Sequence, residues 1–263
     1  MENRINQCFA ALRARNEKAF IAYICAGDPD LSQTVDLALA LEKAGTDIIE
    51  LGIPFSDPLA DGLVNQLAAQ RALEAGATVP GVLDCIRQIR TRSQVPIVLY
   101  TYMNPIFQFG FERFHREASH AGVDGLLILD LPPEEDFDLP KDGPLHIRLI
   151  APTTPPERVR QICARAAGFV YYVSREGVTG VQNIIAASVA DQVAQIRKHT
   201  QLPIAVGFGI STAKQAREVA QVADAIVVGS AIVQRISESP TKSDMPTRIG
   251  EFVASLVAAV KER

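Results

Sequence analysis

The chain has 263 residues, a formal net charge of −4 and a composition that is 48% hydrophobic, 21% charged and 6% aromatic. These values are typical of an ordinary globular protein with room for a sizeable core. No run of Lys or Arg forms a basic stripe, so we expect neither nucleic acid nor an anionic membrane surface as a partner.

The four cysteines, Cys8, Cys25, Cys85 and Cys163, lie far apart and form no C-x-x-C pair. We therefore expect free thiols, with neither a disulfide framework nor a zinc site, and we predict no metal elsewhere. Residues 1–20 mix both charges, which is unlike a signal peptide, and no run of about 18 apolar residues is present to span a bilayer. These features predict a cytoplasmic protein.

Short runs rich in Ile, Val and Leu recur along the chain, and helical patterns separate them. The predicted strands are, in order, KAFIAYIC (18–25), DIIELG (47–52), PIVLYTY (96–102), GLLILDLP (125–132), LHIRLIAP (145–152), GFVYYVS (168–174), PIAVGFG (203–209) and ADAIVVG (223–229). Helices are predicted at 32–44, 112–121, 156–166, 186–199 and 211–220 and at the end of the chain. A long helical region is also predicted after the second strand and its loop, reaching about residue 92 with breaks near 76 and 80, and a short helical piece is predicted near 134.

Each of these strands precedes a helix, which favours parallel strands joined by crossovers. Their near-continuous apolar character is typical of strands that are buried on both faces. The sequence therefore predicts a (β/α)8 TIM barrel that spans residues 1–263 as a single domain, with an extra N-terminal helix. A doubly wound open sheet is the alternative, although such sheets usually have fewer strands.

Two carboxylates stand out around the second strand. Glu50 shares a strand face with Ile48 and Gly52, and Asp61 ends the loop that follows. If that face lines the barrel, burial raises the pKa of Glu50 toward the range of a general acid/base, and Asp61 adds a second carboxylate at the same mouth. Alternatively, Glu50 pairs with an arginine, and Asp61 caps the helix that begins near Leu63; capping is compatible with a role in the site.

Glycine-rich loops follow the last three predicted strands. They are SREGVTGVQN (174–183), GFGIST (207–212) and GSAIVQ (229–234). Backbone N–H groups in such loops and at helix N-termini bind anions, and barrel enzymes often hold a phosphate after strands seven and eight. We therefore predict a phosphate site rather than a set of tight turns. GFGIS lacks the third glycine of a dinucleotide fingerprint, and no Walker sequence is present.

The remaining polar candidates are weaker. His115 and His120 are five residues apart, a spacing that does not place them on one helix face as ligands, and His146 falls in a predicted strand. We expect structural histidines at these positions. Asp130 and Asn104 follow strands four and three on the same rim, where we expect a structural or interface role rather than a catalytic one.

The chain resembles the tryptophan synthase alpha subunit over essentially its whole length. The motifs that carry the resemblance are ELGIPFSDPLADG, YTYMNPIF, VDGLLILDLPPEE, YYVSREGVTG, PIAVGFGIS and ADAIVVGSAIV, in that order. The resemblance implies cleavage of indole-3-glycerol phosphate to indole and glyceraldehyde 3-phosphate without a cofactor. It also implies a complex of two alpha and two beta subunits, in which the beta subunit holds pyridoxal phosphate and receives the indole.

The resemblance further implies roles for residues that match the family motifs. Glu50 is the expected general acid/base, and Asp61 is expected to steady the indole N–H. The expected substrate-binding residues are Tyr23, Tyr171 and Thr179 around the site and its closing loop, Phe208 against the indole, and Gly180, Gly209, Gly229 and Ser230 at the phosphate.

Three positions depart from the family pattern. Leu63 replaces the usual proline after ADG, Asn65 replaces an aliphatic residue expected against the indole, and Tyr23 replaces a phenylalanine. Two alternatives to the lyase therefore stay open. One is a barrel that binds a phosphorylated ligand and mainly activates a beta subunit. The other is a phosphosugar isomerase or epimerase, although such enzymes do not usually carry the Pro-Phe-Ser-Asp-Pro loop.

Overall fold

A computed structural model describes residues 3–135, 143–173, 182–207, 209–239 and 241–262. The strands in this part of the chain are β1 (Ala19–Cys25), β2 (Ile48–Gly52), β3 (Ile97–Thr101), β4 (Gly125–Ile128), β5 (Leu145–Ile150), β6 (Val170–Val173), β7 (Ile204–Gly207) and β8 (Ala225–Val228). All neighbouring strands are parallel, and β8 pairs with β1, so the sheet closes into a barrel in chain order. The predicted TIM barrel is confirmed, and the open-sheet alternative is wrong.

Helices surround the barrel. In the described residues they are α1 (Arg4–Ala14), α2 (Leu31–Lys43), α3 (Leu63–Glu74), α4 (Val79–Arg90), α5 (Met103–Phe109), α6 (Phe111–Ala121), α7 (Pro156–Arg165), α8 (Gln182–Arg197), α9 (Ala213–Ala220), α10 (Ser230–Ser237) and α11 (Met245–Lys261). None of them is long and apolar enough to cross a membrane.

The helix predictions hold at most positions, with two differences. The short helix α5 was not predicted, and a turn at 133–134 stands where a short helix was expected. Residues 136–142, which complete that region, lie outside the described part of the chain. The extra N-terminal helix is α1, which lies against one end of the barrel: Ile5 and Leu12 belong to its interior cluster, and the rings of Phe9 and Phe169 are 5.8 Å apart.

The alternation of side chains explains the closed barrel. Along β1, Ile21 belongs to the cluster inside the barrel, whereas Phe20 and Ala22 belong to the cluster between the barrel and the helices. Each strand therefore buries apolar side chains on both faces, as its continuous apolar sequence predicts. Glu50 is an exception, because it is a carboxylate among these buried positions.

Three aspartates tie neighbouring strands together where strands begin. Asp47, Asp124 and Asp224 each precede a strand and accept a hydrogen bond from the backbone N–H at the start of the neighbouring strand. These bonds are Phe20 N–H to Asp47 Oδ2 at 2.8 Å, Ile97 N–H to Asp124 Oδ2 at 2.9 Å, and Ile204 N–H to Asp224 Oδ2 at 2.9 Å. Each carboxylate also pairs with a cation from the outer helices, which compensates its removal from water.

A stacked histidine pair joins α6 to the outer face of β5. His115 of α6 and His146 of β5 stack with ring centroids 5.5 Å apart, and Nε2 of each ring has no hydrogen-bond partner among the described residues. Burial lowers the pKa of both rings, that of His146 to about 3, where the nearby charges of His115 and Arg148 add to the effect. Both rings are therefore neutral in the folded protein near pH 7.

This pair is expected to make the fold sensitive to acid. Between about pH 6.5 and pH 3 the unfolded chain protonates His146 while the folded chain does not, so the free energy of unfolding falls as the pH decreases. His146→Phe keeps an aromatic ring stacked on His115 but removes the imidazole that takes up a proton. We expect it to retain about 3 kcal/mol of stability at pH 4 that the wild type loses.

Urea unfolding between pH 4 and pH 7 measures this effect. His120→Phe is the matched control, because His120 lies on the exposed side of α6. Identical acid dependence in the wild type and His146→Phe would show that the pair does not titrate as described.

Candidate active site

Glu50 lies inside the barrel at the middle of β2, two residues before the strand ends, and only 1% of its surface is exposed. Its register neighbours are Tyr23 of β1 and Val98 of β3. In the part of the chain that the structure describes, Oε1 has no hydrogen-bond partner and no arginine pairs with the carboxylate. The alternative in which an arginine pairs with Glu50 is therefore not found among the described residues.

The surroundings of Glu50 change its acidity. Burial raises the pKa of the Glu50 carboxyl to about 8, and the charge of Asp61 contributes to the same shift. Because this pKa is close to neutral pH, both protonation states are accessible to the carboxyl, which is the requirement for a general acid/base.

Asp61 lies at the end of the loop between β2 and α3 and is held by two phenols. Tyr100 donates to Oδ1 at 2.8 Å, and Tyr102 donates to Oδ2 at 2.7 Å. Tyr102 also accepts the Ala60 N–H at 3.0 Å, and this bond ties the loop to the end of β3. The N-cap residue of α3 is Gly62, and no side chain accepts a hydrogen bond from the first N–H groups of this helix. The alternative in which Asp61 caps α3 is therefore wrong.

Tyr23 and Tyr171 also reach the barrel mouth, and both are buried. Each phenol lies over a glycine of another strand: a Cβ at Gly52 would collide with the Tyr23 hydroxyl, and one at Gly207 would collide with the Tyr171 hydroxyl. Burial and the charges of Glu50 and Asp61 raise the pKa of Tyr171, which keeps it a neutral phenol. The glycines therefore leave the space that these phenols occupy.

A cavity of about 670 Å³ opens at the carboxyl ends of the strands and brings the predicted residues together. Glu50, Asp61, Tyr23 and Tyr171 line one part, and the turns after β7 and β8 line another. The lining residues from these turns are Gly209, Ile210, Gly229 and Ser230.

The turn after β8 has the features of an anion site. Gly229 precedes α10, and no side chain caps the helix. The first N–H groups of an uncapped helix, together with its dipole, attract negative charge. Gly209 adopts φ +27° and has open space where a side chain would lie. Both glycines therefore leave backbone accessible from the cavity.

Three predicted site residues, Thr179, Gly180 and Phe208, lie outside the described residues. Asp130 accepts the Met103 N–H of α5 at 2.7 Å, a structural role of the expected kind. Within the described residues, no three His, Cys, Asp or Glu side chains lie close enough to hold a metal ion.

Sequence reasoning missed the two phenols that hold Asp61. Tyr100 is two residues after Val98, and alternation places both on the inner face of β3. That signal could have placed Tyr100 in the barrel mouth. The partnership itself joins residues about forty positions apart, and no local pattern reports it.

The fold and the cavity define a (β/α)8-barrel enzyme with its site at the carboxyl ends of the strands. The family model described as "Tryptophan synthase alpha chain" matches residues 9–261. The chain belongs to this family.

Relatives and solved structures agree with this assignment. The tryptophan synthase alpha chain of Opitutus terrae is 51% identical and covers 98% of this chain and 99% of its own length. That of Geobacter sulfurreducens is 48% identical, with 98% and 99% covered. The crystal structure of tryptophan synthase subunit alpha from Legionella pneumophila is 38% identical, with a TM-score of 0.91 and 99% of both chains covered.

The predicted enzyme class is confirmed with the family. The chain is a lyase of tryptophan biosynthesis, and its reaction is the cleavage of indole-3-glycerol phosphate to indole and glyceraldehyde 3-phosphate. The isomerase alternative is therefore wrong.

Proposed function

We propose that Glu50 transfers the protons of this cleavage and that Asp61 stabilises the charge which develops on the indole nitrogen. The observation that carries the proposal is the burial of Glu50, which raises its pKa to about 8, with no cation beside it among the described residues. Such a carboxyl is protonated in a large fraction of molecules at neutral pH and is a strong enough base once it has given up its proton.

The reaction needs two proton transfers. Glu50 first donates a proton to C3 of the indole, which produces a cation delocalised onto the ring nitrogen. The Glu50 carboxylate then takes the proton of the hydroxyl on the carbon attached to C3. That carbon becomes the aldehyde carbon of glyceraldehyde 3-phosphate as its bond to C3 breaks, and the electron pair of the broken bond restores the neutral indole. Glu50 ends the cycle protonated.

Asp61 is suited to the charge on the ring. Its carboxylate is fixed by the hydroxyls of Tyr100 and Tyr102, and each oxygen keeps a lone pair for the indole N–H. A carboxylate that is already oriented stabilises the cation without reorganisation during the reaction. The turns that contain Gly209, Gly229 and Ser230 are suited to the phosphate of the substrate. The family motif adds Thr179 and Gly180, which follow β6 in the chain.

We expect Tyr102→Phe and Tyr100→Phe each to lower kcat by about 10-fold, because each removes one charge-assisted hydrogen bond from Asp61. Tyr102→Phe also frees the Ala60 N–H, so its effect is expected to be the larger. Steady-state kinetics with indole-3-glycerol phosphate measures both. Unchanged kcat in both variants would mean that the phenols do not position Asp61.

The partner we propose is a tryptophan synthase beta subunit, in an assembly of two alpha and two beta subunits. Large apolar side chains are exposed near the cavity mouth: Leu59 is 82%, Leu63 69% and Phe107 70% exposed. They lie on the loop after β2, on α3 and on α5, all at the carboxyl end of the barrel. An apolar rim of this kind favours protein docking, and indole could then pass to the partner without entering water.

We propose that the cleavage requires no cofactor on this chain, because Glu50 and the substrate exchange every proton. The pyridoxal phosphate of the complex then belongs to the beta subunit. A cytoplasmic location is consistent with four free cysteines, of which Cys25, Cys85 and Cys163 are buried.

The test is indole formation from indole-3-glycerol phosphate by the purified chain, with and without a beta subunit. We expect indole in both cases and a faster rate in the complex. If the chain releases no indole but accelerates the beta subunit, the regulatory alternative replaces the lyase proposal.

A further inference from the structure

Asn65 supplies the second unpartnered oxygen in the cavity. Two buried side-chain oxygens without a hydrogen-bond partner among the described residues belong to residues that line it, Glu50 Oε1 and Asn65 Oδ1. Asn65 is the third residue of α3, and its backbone N–H bonds to the Gly62 carbonyl at 3.0 Å. The proposed reaction uses Glu50 but leaves Asn65 without a role.

An amide oxygen in this position requires a donor. Burying it without one is unfavourable, because the hydrogen bonds it makes to water are lost and not replaced. The carboxylate of Asp61, which also lines the cavity, is an acceptor and cannot satisfy it. A donor must therefore come from whatever occupies the cavity.

Helix packing places Asn65 toward the anion turn. Asn65, Ala68, Ala69 and Ala72 share one face of α3 by helical spacing, and the alanines cluster with Val233 of α10. Both helices begin at the carboxyl end of the barrel, since each follows a strand. Asn65 lies one turn before Ala68 and Ala69, and Gly229 and Ser230 lie one turn before Val233. The Asn65 side chain and the anion turn therefore face the same part of the cavity.

The chemistry of the substrate then selects the donor. A phosphate held at Gly229 and Ser230 presents acceptor oxygens, which cannot satisfy Asn65 Oδ1. The three-carbon arm of indole-3-glycerol phosphate carries two hydroxyls. Glu50 takes the proton of the one beside the indole, so the other, nearer the phosphate, is the hydroxyl to which the proposed reaction assigns no partner.

We propose that Asn65 is a substrate-positioning residue that accepts a hydrogen bond from the hydroxyl between the reacting carbon and the phosphate. The proposal rests on the proposed function, because it assumes the phosphate and Glu50 ends of the same substrate. Asn65 thereby selects phosphate esters that carry a hydroxyl on the carbon next to the one bonded to the phosphate. It also holds the three-carbon arm of the substrate between Glu50 and the turn after β8.

Calorimetric titration with two probes tests the proposal. Glycerol 3-phosphate carries the hydroxyl on its middle carbon, and 3-hydroxypropyl phosphate has the same chain length and the same terminal hydroxyl without it. We expect the wild type to bind glycerol 3-phosphate about 3- to 10-fold more tightly, the usual effect of one hydrogen bond. Asn65→Val is expected to bind both probes equally, with the affinity for 3-hydroxypropyl phosphate unchanged.

Matched controls separate this effect from a loss of packing. Val64→Ala shortens a neighbouring residue that also lines the cavity, and it is expected to preserve the preference for glycerol 3-phosphate. Asn65→Ala repeats the test should the valine variant fold poorly, and it is also expected to lose the preference. In kinetics, Asn65→Val is expected to raise KM for indole-3-glycerol phosphate more than it lowers kcat.

Two results would overturn the proposal. The preference for glycerol 3-phosphate could survive in Asn65→Val and Asn65→Ala, or the variants could lose affinity for indole alone, which would place Asn65 against the ring. Failure of the proposed function is a separate result: Glu50→Gln would then form indole as fast as the wild type, whatever the two phosphates do.

Discussion

Glu50→Gln is expected to lower kcat for indole formation by about 10²- to 10⁴-fold, the range for loss of a general acid/base. Gln has nearly the same shape but cannot donate and then recover a proton. KM is expected to change little, because proton transfer acts in the transition state and not in substrate binding. Steady-state kinetics with indole-3-glycerol phosphate measures both values.

The stability of the same variant provides the control. The pKa of Glu50 is about 8 in the folded protein against an ordinary 4.5, so its contribution to stability is complete below pH 4.5 and is lost as the pH rises through 8. Gln resembles the protonated form at every pH. Glu50→Gln is therefore expected to unfold at a temperature at least as high as the wild type at pH 8. An inactive variant that is also unstable would point to misfolding.

Asp124→Ala is expected to lower the free energy of unfolding by about 3–5 kcal/mol, the usual effect of removing one partner from a buried ion pair. The Asp124 side chain is 4% exposed and pairs with Arg90 at 2.7 Å and Arg4 at 2.9 Å. Its loss leaves the Arg90 guanidinium, 10% exposed, without its carboxylate and the Ile97 N–H without its acceptor. Urea denaturation followed by circular dichroism measures the change.

Asp84→Ala is the matched control for Asp124→Ala. Asp84 pairs with Arg87 on the surface, with 64% of its side chain exposed. Surface pairs contribute about 0–1 kcal/mol, so we expect little change. If the two variants lost similar amounts of stability, the aspartates that precede the strands would not hold neighbouring strands together.

The barrel could be predicted because its signal is local. Continuous apolar runs such as that of β1 fix strand positions, and one helix after each strand implies parallel pairing. Glu50 could be predicted for the same reason: a charge within an apolar strand two positions from its end is visible without any knowledge of the fold.

Residues that act through distant partners could not be predicted. The sequence alone allows Asp61 either to cap α3 or to lie in the site. The hydrogen bonds from the Tyr100 and Tyr102 hydroxyls to its carboxylate decide between these roles. The histidine pair joins α6 to β5 across thirty residues. The burial of Asn65 Oδ1 depends in the same way on how the start of α3 packs at the barrel mouth.

The most direct test of the account is the pH dependence of kcat/KM for indole formation between pH 7 and pH 9.5. Glu50 begins the reaction as an acid, so the wild type is expected to lose activity above about pH 8, by up to tenfold per pH unit. Glu50→Gln is expected to show only residual activity without this decline. A flat wild-type profile to pH 9.5, or the same decline in Glu50→Gln, would contradict the assignment of proton transfer to Glu50.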